Sequence, residues 1–248
     1  MGDFIVQKHG QLFGSIFDSD ELYIADPLFV KRISSTWVTE CKDPYCSHEE
    51  ADTRMIFHAT YADKQFGMKQ VKGRIITKSP DTDVLVLAVH FFPWFQTGSI
   101  TSTRDGRRFI PVHEIVNSLN PVFCHILPAA HALWGCETTS SMFGIGKTTV
   151  YKVLKSKSEE FSDLVLLGEG NVEDSLPVSR EFVASLYDQK AKLRADYSNL
   201  NKFRVRLAAK KEGSLPKLPP CEATFHQHVL RASLQTYIWK SSQKRTPC

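Results

Sequence analysis

Residues 71–92 read VKGRIITKSPDTDVLVLAVHFF, and the fold turns on how this stretch is divided. VKGRIITKS (71–79) has the β-branched character of a short strand, and SPDTD after it is turn chemistry. DVLVLAVHFF (83–92) is apolar on every side, so it is a fully buried element. Its periodicity fits a buried strand and a buried helix equally. Either way, a strand running through an acid-rich turn into a covered element points to an α/β core.

Upstream, ISSTWVTEC (33–41) is β-branched and fits a strand, while residues 1–33 show no clear period. CKDPYCSHEE makes a turn with a helix start near Ser47 or His48. From Glu50 the pattern is helical: Met55, Ala59, Ala62 and Phe66 form one stripe, and Gly67 ends it. Downstream, QTGSITSTRDGRR (96–108) reads as a hairpin or mobile loop, and FIPVHEIVNSL as a strand end and a short helix. Next come a helix in LPAAHALWG, a GIG turn, and a helix from Lys147 to about Lys157. Beyond Ser158, helical stretches are expected near Ser179–Tyr197 and in ATFHQHVLRASLQTYIWK, with LPKLPP (215–220) as a stiff linker. No internal repeat is visible.

The chain has 248 residues, 42% apolar and 23% charged, an ordinary globular balance with ample length for a core. The net charge of +4 says less than its distribution. Asp188 to Lys217 holds nine Lys/Arg against three Asp/Glu, and acids cluster at Glu49–Asp52 and Asp81–Asp83. That asymmetry sets a basic strip against an acidic pit. The alternative for the basic run is a solvated helix face. Six irregularly placed cysteines do not make a secreted disulfide framework. The start MGDFIVQKHG is not a signal peptide, and the longest apolar run, Val84 to Phe95, is too short to span a bilayer. A soluble intracellular protein of nucleus or cytoplasm is expected. Cys41, Cys46 and His48 lack the second ligand pair a structural zinc needs, and His226 and His228 form an isolated H-x-H.

The chemistry-bearing positions are Glu50 and Asp52, Asp81 and Asp83, and Glu137. Acids at a helix start are favoured by the macrodipole, and α/β sheets gather their sites at strand carboxyl ends. Carboxylates brought to one edge repel unless cations neutralise them, and oxygen-only ligands select Mg2+ or Mn2+. Two such ions about 4 Å apart are the usual means of phosphodiester hydrolysis. The plain alternative is that each acid is a cap or turn residue.

GIGKTT (144–149) invites comparison with a phosphate-cradling P-loop, but the first glycine of that motif would fall on Ser141. The segment ahead is helical rather than a strand, so a nucleotide loop would have to be degenerate.

Three blocks, EEADTRMIFHA, SPDTDVLVLAV and HALWGCETTSSMFGIGKTTVYKVL, together resemble the metal-binding blocks of the PIN-like/flap-endonuclease (5′-nuclease) superfamily. More closely they are similar to PIN-like domains of transposon-associated animal proteins, where the blocks read roughly EEADTRI, SPDTDV and GCDTTS. The resemblance covers residues 47–157 and, more loosely, the tail LPPCEATFHQHVLRASLQTYIWK. It implies a mostly parallel sheet flanked by helices, a nuclease core over 47–160, an N-terminal segment of 1–46 with one strand, and a helical C-terminal extension over 161–248. By position it makes Glu50, Asp52, Asp81, Asp83 and Glu137 metal ligands, with Asp81, Asp83 and Glu50 catalytic. Gly144, Gly146 and Lys147 would hold nucleic acid, DNA first, through backbone N–H groups and the ammonium, with Arg54 assisting.

Two departures stand against activity. No block before residue 47 resembles the family's first acid-bearing strand, nor its phosphate-gripping helices, as in an N-terminally truncated chain. Glu137 stands where the family has Asp, and Mg2+ tolerates a shifted carboxylate poorly. The readings in competition are a divalent-metal-dependent, structure-specific nuclease, a catalytically dead nucleic-acid-binding module, and a protein-interaction remnant.

Overall fold

The computed structural model describes residues 22–25, 30–33, 38–40, 50–70, 74–98, 100–103, 108–210 and 217–243. The chain divides into two compact units, Met1–Ala62 with Ser242–Cys248, and Asp63–Ser241. Among the described residues no helix is long and apolar enough to cross a membrane.

In the smaller unit, β1 (Leu22–Ala25), β2 (Val30–Ile33) and β3 (Val38–Glu40) form an antiparallel sheet in that order. The single strand expected over 33–41 is therefore corrected: Ile33 closes β2 and pairs with Val38 at the start of β3. Two β-branched arms joined by a short connection look continuous in a sequence read without pairing partners. The turn and the zinc spacing at Cys41, Cys46 and His48 fall outside the described residues, as does Glu49.

Helix α1 (Ala51–Lys69) begins where the Glu50 carbonyl accepts the Thr53 hydroxyl at 2.8 Å and the Arg54 N–H at 3.2 Å. The predicted stripe is only partly the covered one. Ala59 is buried, but Met55, Ala62 and Phe66 are half-buried, while Thr53, Ile56, Phe57 and Asp63 are covered. Apolar residues at 55, 56 and 57 allow more than one face of the same period, and packing chose the next one round.

The larger unit starts from Asp63, whose carboxylate accepts the Gln96 N–H at 2.8 Å and the Thr97 N–H at 2.7 Å. This buried acid closes the turn that leads into the sheet. Asp63→Ala is expected to cost about 1–3 kcal/mol, because both donors lose a charged partner. Urea unfolding checks it, with Asp63→Asn, which keeps one acceptor, intermediate between alanine and the parent.

β4 (Ile75–Lys78) alternates buried and exposed side chains. The ambiguous apolar run is a helix, α2 (Thr82–Phe91), covered from Asp83 to Phe91 apart from Leu85. Asp81 caps it, and a 3-10 turn containing Pro93 (Phe92–Trp94) ends it. β5 (Ile100–Thr103) then pairs parallel to β4, and β6 (Phe109–Pro111) pairs antiparallel to β5. The hairpin reading of 96–108 holds in this pair. The sheet is small and mixed rather than mostly parallel. The five residues between β5 and β6 permit only an antiparallel return, whereas β4 reaches β5 through a whole helix.

After α3 (Val112–Asn117), α4 (Pro121–Trp134) forms the centre of this unit. Asn120 caps it by accepting the Val122 N–H at 2.8 Å, and Pro121 sits at its first position, where no amide hydrogen is needed. Phe123, Cys124, Ile126, Ala129, Ala130, Ala132 and Leu133 are all at most 2% exposed, as suits a helix apolar all round. It packs against α2, α5 (Lys147–Lys157), α6 (Val172–Tyr187) and α8 (Glu222–Lys240). Pro128 inside α4 cannot donate to the Cys124 carbonyl one turn back; His90 Nδ1–H of α2 donates to it instead, at 3.1 Å.

The stretch expected near Ser179–Tyr197 is corrected at both ends. α6 starts at Val172 with Asn171 as cap and stops at Tyr187. Asp188 leaves helical dihedrals and Ala191 takes a positive φ of 51°, so only a 3-10 turn at Arg194–Asp196 follows before α7 (Leu200–Lys210). Glu222 joins three helices: it accepts from Arg180 Nε at 3.1 Å, from Arg180 Nη2 at 3.2 Å, and from the Leu200 N–H. At the other end of α8, Lys240 Nζ donates to the Val165 and Leu167 carbonyls and to Glu169. Part of the basic run is also engaged internally. Arg194 pairs with Glu160 and Glu181 at 2.9 and 3.0 Å, and Arg204 donates to the Pro219 carbonyl.

Candidate metal centre

The turn after β4 places its two acids by backbone chemistry. The Asp81 N–H donates to Ser79 Oγ at 3.0 Å, and Asp81 Oδ1 in turn accepts the Asp83 N–H at 3.0 Å. Asp81 is thus the cap that the plain reading expected, yet its side chain stays exposed and keeps a second oxygen. The ligand oxygens of Asp81 and Asp83 lie within 4.8 Å of each other.

Asp83 is only 8% exposed. His131 of α4, equally covered, reaches its Oδ1 with Nε2 at 2.7 Å. The imidazole is held by two indoles: it stacks on Trp239 at 5.8 Å and lies tilted against Trp134 at 5.8 Å. Sequence reading missed His131. It sits in an apolar helix 48 residues from its partner, and nothing in HALWG marks it as anything but core. The contact leaves Asp83 one further oxygen and fixes its direction, as hydrogen-bonded carboxylates around metals usually are.

The GIG turn arrives at the same place. Gly144 has φ +76°, and Gly146 is the N-cap of α5 without a side-chain cap bond. Lys147 then donates from Nζ to Thr82 Oγ1 at 2.8 Å, and lies 5.7 Å over the Trp134 ring. Thr82 is the residue between the two acids, so two segments read separately in the sequence share one locus. The loop between α4 and α5 is held by Trp134, which donates from Nε1 to the Ile145 carbonyl at 2.7 Å and accepts the Met142 N–H at 2.9 Å.

The other expected ligands stand differently. Asp52 lies half-exposed in the first turn of α1, and Glu50 precedes that helix with its carbonyl engaged as described. Arg54 follows, half-buried, in the same turn. Glu137 is exposed in the α4–α5 loop, beside Thr138, whose hydroxyl donates to Gln235 of α8 at 2.6 Å. Within the larger unit, Asp81 and Asp83 bring ligand oxygens close enough to share one ion, and Glu137 is outside that group. No family model, curated protein or solved structure matches the chain.

Proposed function

We propose that this chain is a nuclease-like protein in which Asp81 and Asp83 hold one hard divalent cation, Mg2+ or Mn2+. The supporting observation is the donor set: carboxylate oxygens only, with one oxygen of Asp81 committed to a cap and one of Asp83 to His131. The two remaining oxygens, one on each acid, suit Mg2+, which binds through few carboxylates and keeps several waters. When bound, such an ion supplies charge stabilisation at a phosphoryl oxygen and a more acidic water. His131 keeps the Asp83 carboxylate aimed, and Lys147 places a positive charge at the rim, where a phosphate would lie. Gly144 and Gly146 would offer backbone N–H groups to the same phosphate. The resemblance to PIN-like 5′-nucleases supplies the reaction class, hydrolysis of a phosphodiester in DNA or RNA.

A second reading draws on Glu137 standing outside the group. Two carboxylates serve one ion rather than two, which favours a nucleic-acid-binding module that has lost turnover over an efficient enzyme. Calorimetric titration with Mn2+ and cleavage of branched and single-stranded DNA separate the two. Asp81→Asn with Asp83→Asn is expected to abolish the Mn2+ heat, with any cleavage falling at least a hundredfold. Mn2+ binding without cleavage selects the binding module; equal Mn2+ heat in parent and variant rejects the site.

A further inference from the structure

The solvent face of α5 carries a pattern the metal reading does not use. Val150, Val153 and Leu154 point inward, while Lys147, Thr148, Tyr151, Lys152 and Lys155 are exposed. Lys147, Tyr151 and Lys155 follow i, i+4, i+8 spacing, so they line one stripe rising about 12 Å along the helix. The helix has no acid at all. Tyr151 is 45% exposed in the middle of these lysines, its ring set edge-on against buried Phe123 at 5.7 Å and under Lys155 Nζ at 5.6 Å. Phe143, one residue ahead of Gly144, is 61% exposed.

We infer that this face binds single-stranded nucleic acid, with Tyr151 and Phe143 stacking on bases and Lys152 and Lys155 neutralising phosphates. The inference rests on the preceding reading that phosphodiesters are handled beside Asp81 and Asp83, to which Lys147 joins the stripe through Thr82. A merely solvated helix face has no use for a large ring fixed among cations. Aromatic faces gain from bases that are unstacked, which a duplex does not offer, and cations beside them track the backbone. A bilayer is disfavoured because the apolar side of α5 is already covered by the protein.

The test is fluorescence anisotropy of the full chain with labelled 12-mers of oligodeoxyuridylate and oligouridylate, and with a blunt duplex of equal length, all in EDTA. The expected result is single-strand binding at least tenfold tighter than duplex binding. Tyr151→Ala and Phe143→Ala should each weaken it about five- to a hundredfold while duplex binding stays within twofold. Lys152→Glu with Lys155→Glu should weaken it and flatten its salt dependence. The tighter of the two homopolymers identifies the sugar. Phe143 is largely free of the core, so its variant remains informative if Tyr151→Ala unfolds. Duplex binding as tight as single-strand binding, parental affinity in both aromatic variants, or stripe-dependent binding to phosphatidylserine vesicles but not to oligonucleotides would overturn the inference. Because no metal is present, strand binding can hold while the Mn2+ heat is missing, and the reverse.

Discussion

Replacing Gly135 by alanine is expected to destabilise the larger unit by roughly 2–5 kcal/mol, the combined cost of backbone strain and an overpacked contact. Gly135 ends α4 with φ +133° and ψ 130°, a conformation side chains rarely adopt. A Cβ there would stand 2.3 Å from the Ser141 Cα and 2.8 Å from its nitrogen. Both are main chain, so no rotamer change relieves the clash. The approach exists because the loop doubles back to give Trp134 its two bonds, to Met142 and Ile145. Gly144→Ala is the matched control: its φ is also positive, but nothing lies within 4 Å of the added carbon, so it should cost only about 1–2 kcal/mol. Urea unfolding followed by tryptophan fluorescence measures both. Equal losses in the two variants would show that the contact with Ser141 does not set the cost.

Acidification from pH 7.5 to 4.5 is expected to remove on the order of 3 kcal/mol through His90 alone, at about 1.36 kcal/mol per pH unit. Burial holds this imidazole down from 6.5 to about 4, although its bond to the Cys124 carbonyl acts in the opposite direction. A folded-state value below the unfolded one means that the unfolded chain takes up the proton first. The stabilisation is therefore complete above about pH 6.5 and is lost as pH falls toward 4. His228, whose Nε2–H donates to the Leu133 carbonyl at 2.8 Å, is shifted downward by burial too and steepens the same transition. His90→Asn, which keeps a donor for the carbonyl that Pro128 leaves unserved, should show a visibly shallower loss between pH 6.5 and 4.5 in urea titrations. An unchanged slope would assign the acid sensitivity elsewhere.

Local chemistry was what the sequence displayed best. Lys147 to Lys157 is a helix with the expected bounds, since Gly146 ahead and a lysine-rich end behind mark both termini. SPDTD does cap and turn, because Ser and Asp bond amides two residues on. What the sequence could not display was anything settled by pairing. Ile33 and Val38 looked like one strand until they faced each other, and the polar ITST, open to a hairpin or a loop, is the middle strand of its sheet. The site shows the same limit. The acids at 81 and 83 were legible as residues after a strand, but the buried His131 contact and the seat of Lys147 on Thr82 join segments 48 and 65 residues apart.

The last turn of α8 bears on how the molecule comes into being. Trp239 is 1% exposed and supports His131, and Lys240 satisfies two carbonyls more than 70 residues earlier. During elongation the central helix is made over a hundred residues before the indole that covers one side of it. The larger unit therefore matures after translation has passed its final helix, and until then the nascent chain carries an open apolar seam for chaperones to guard.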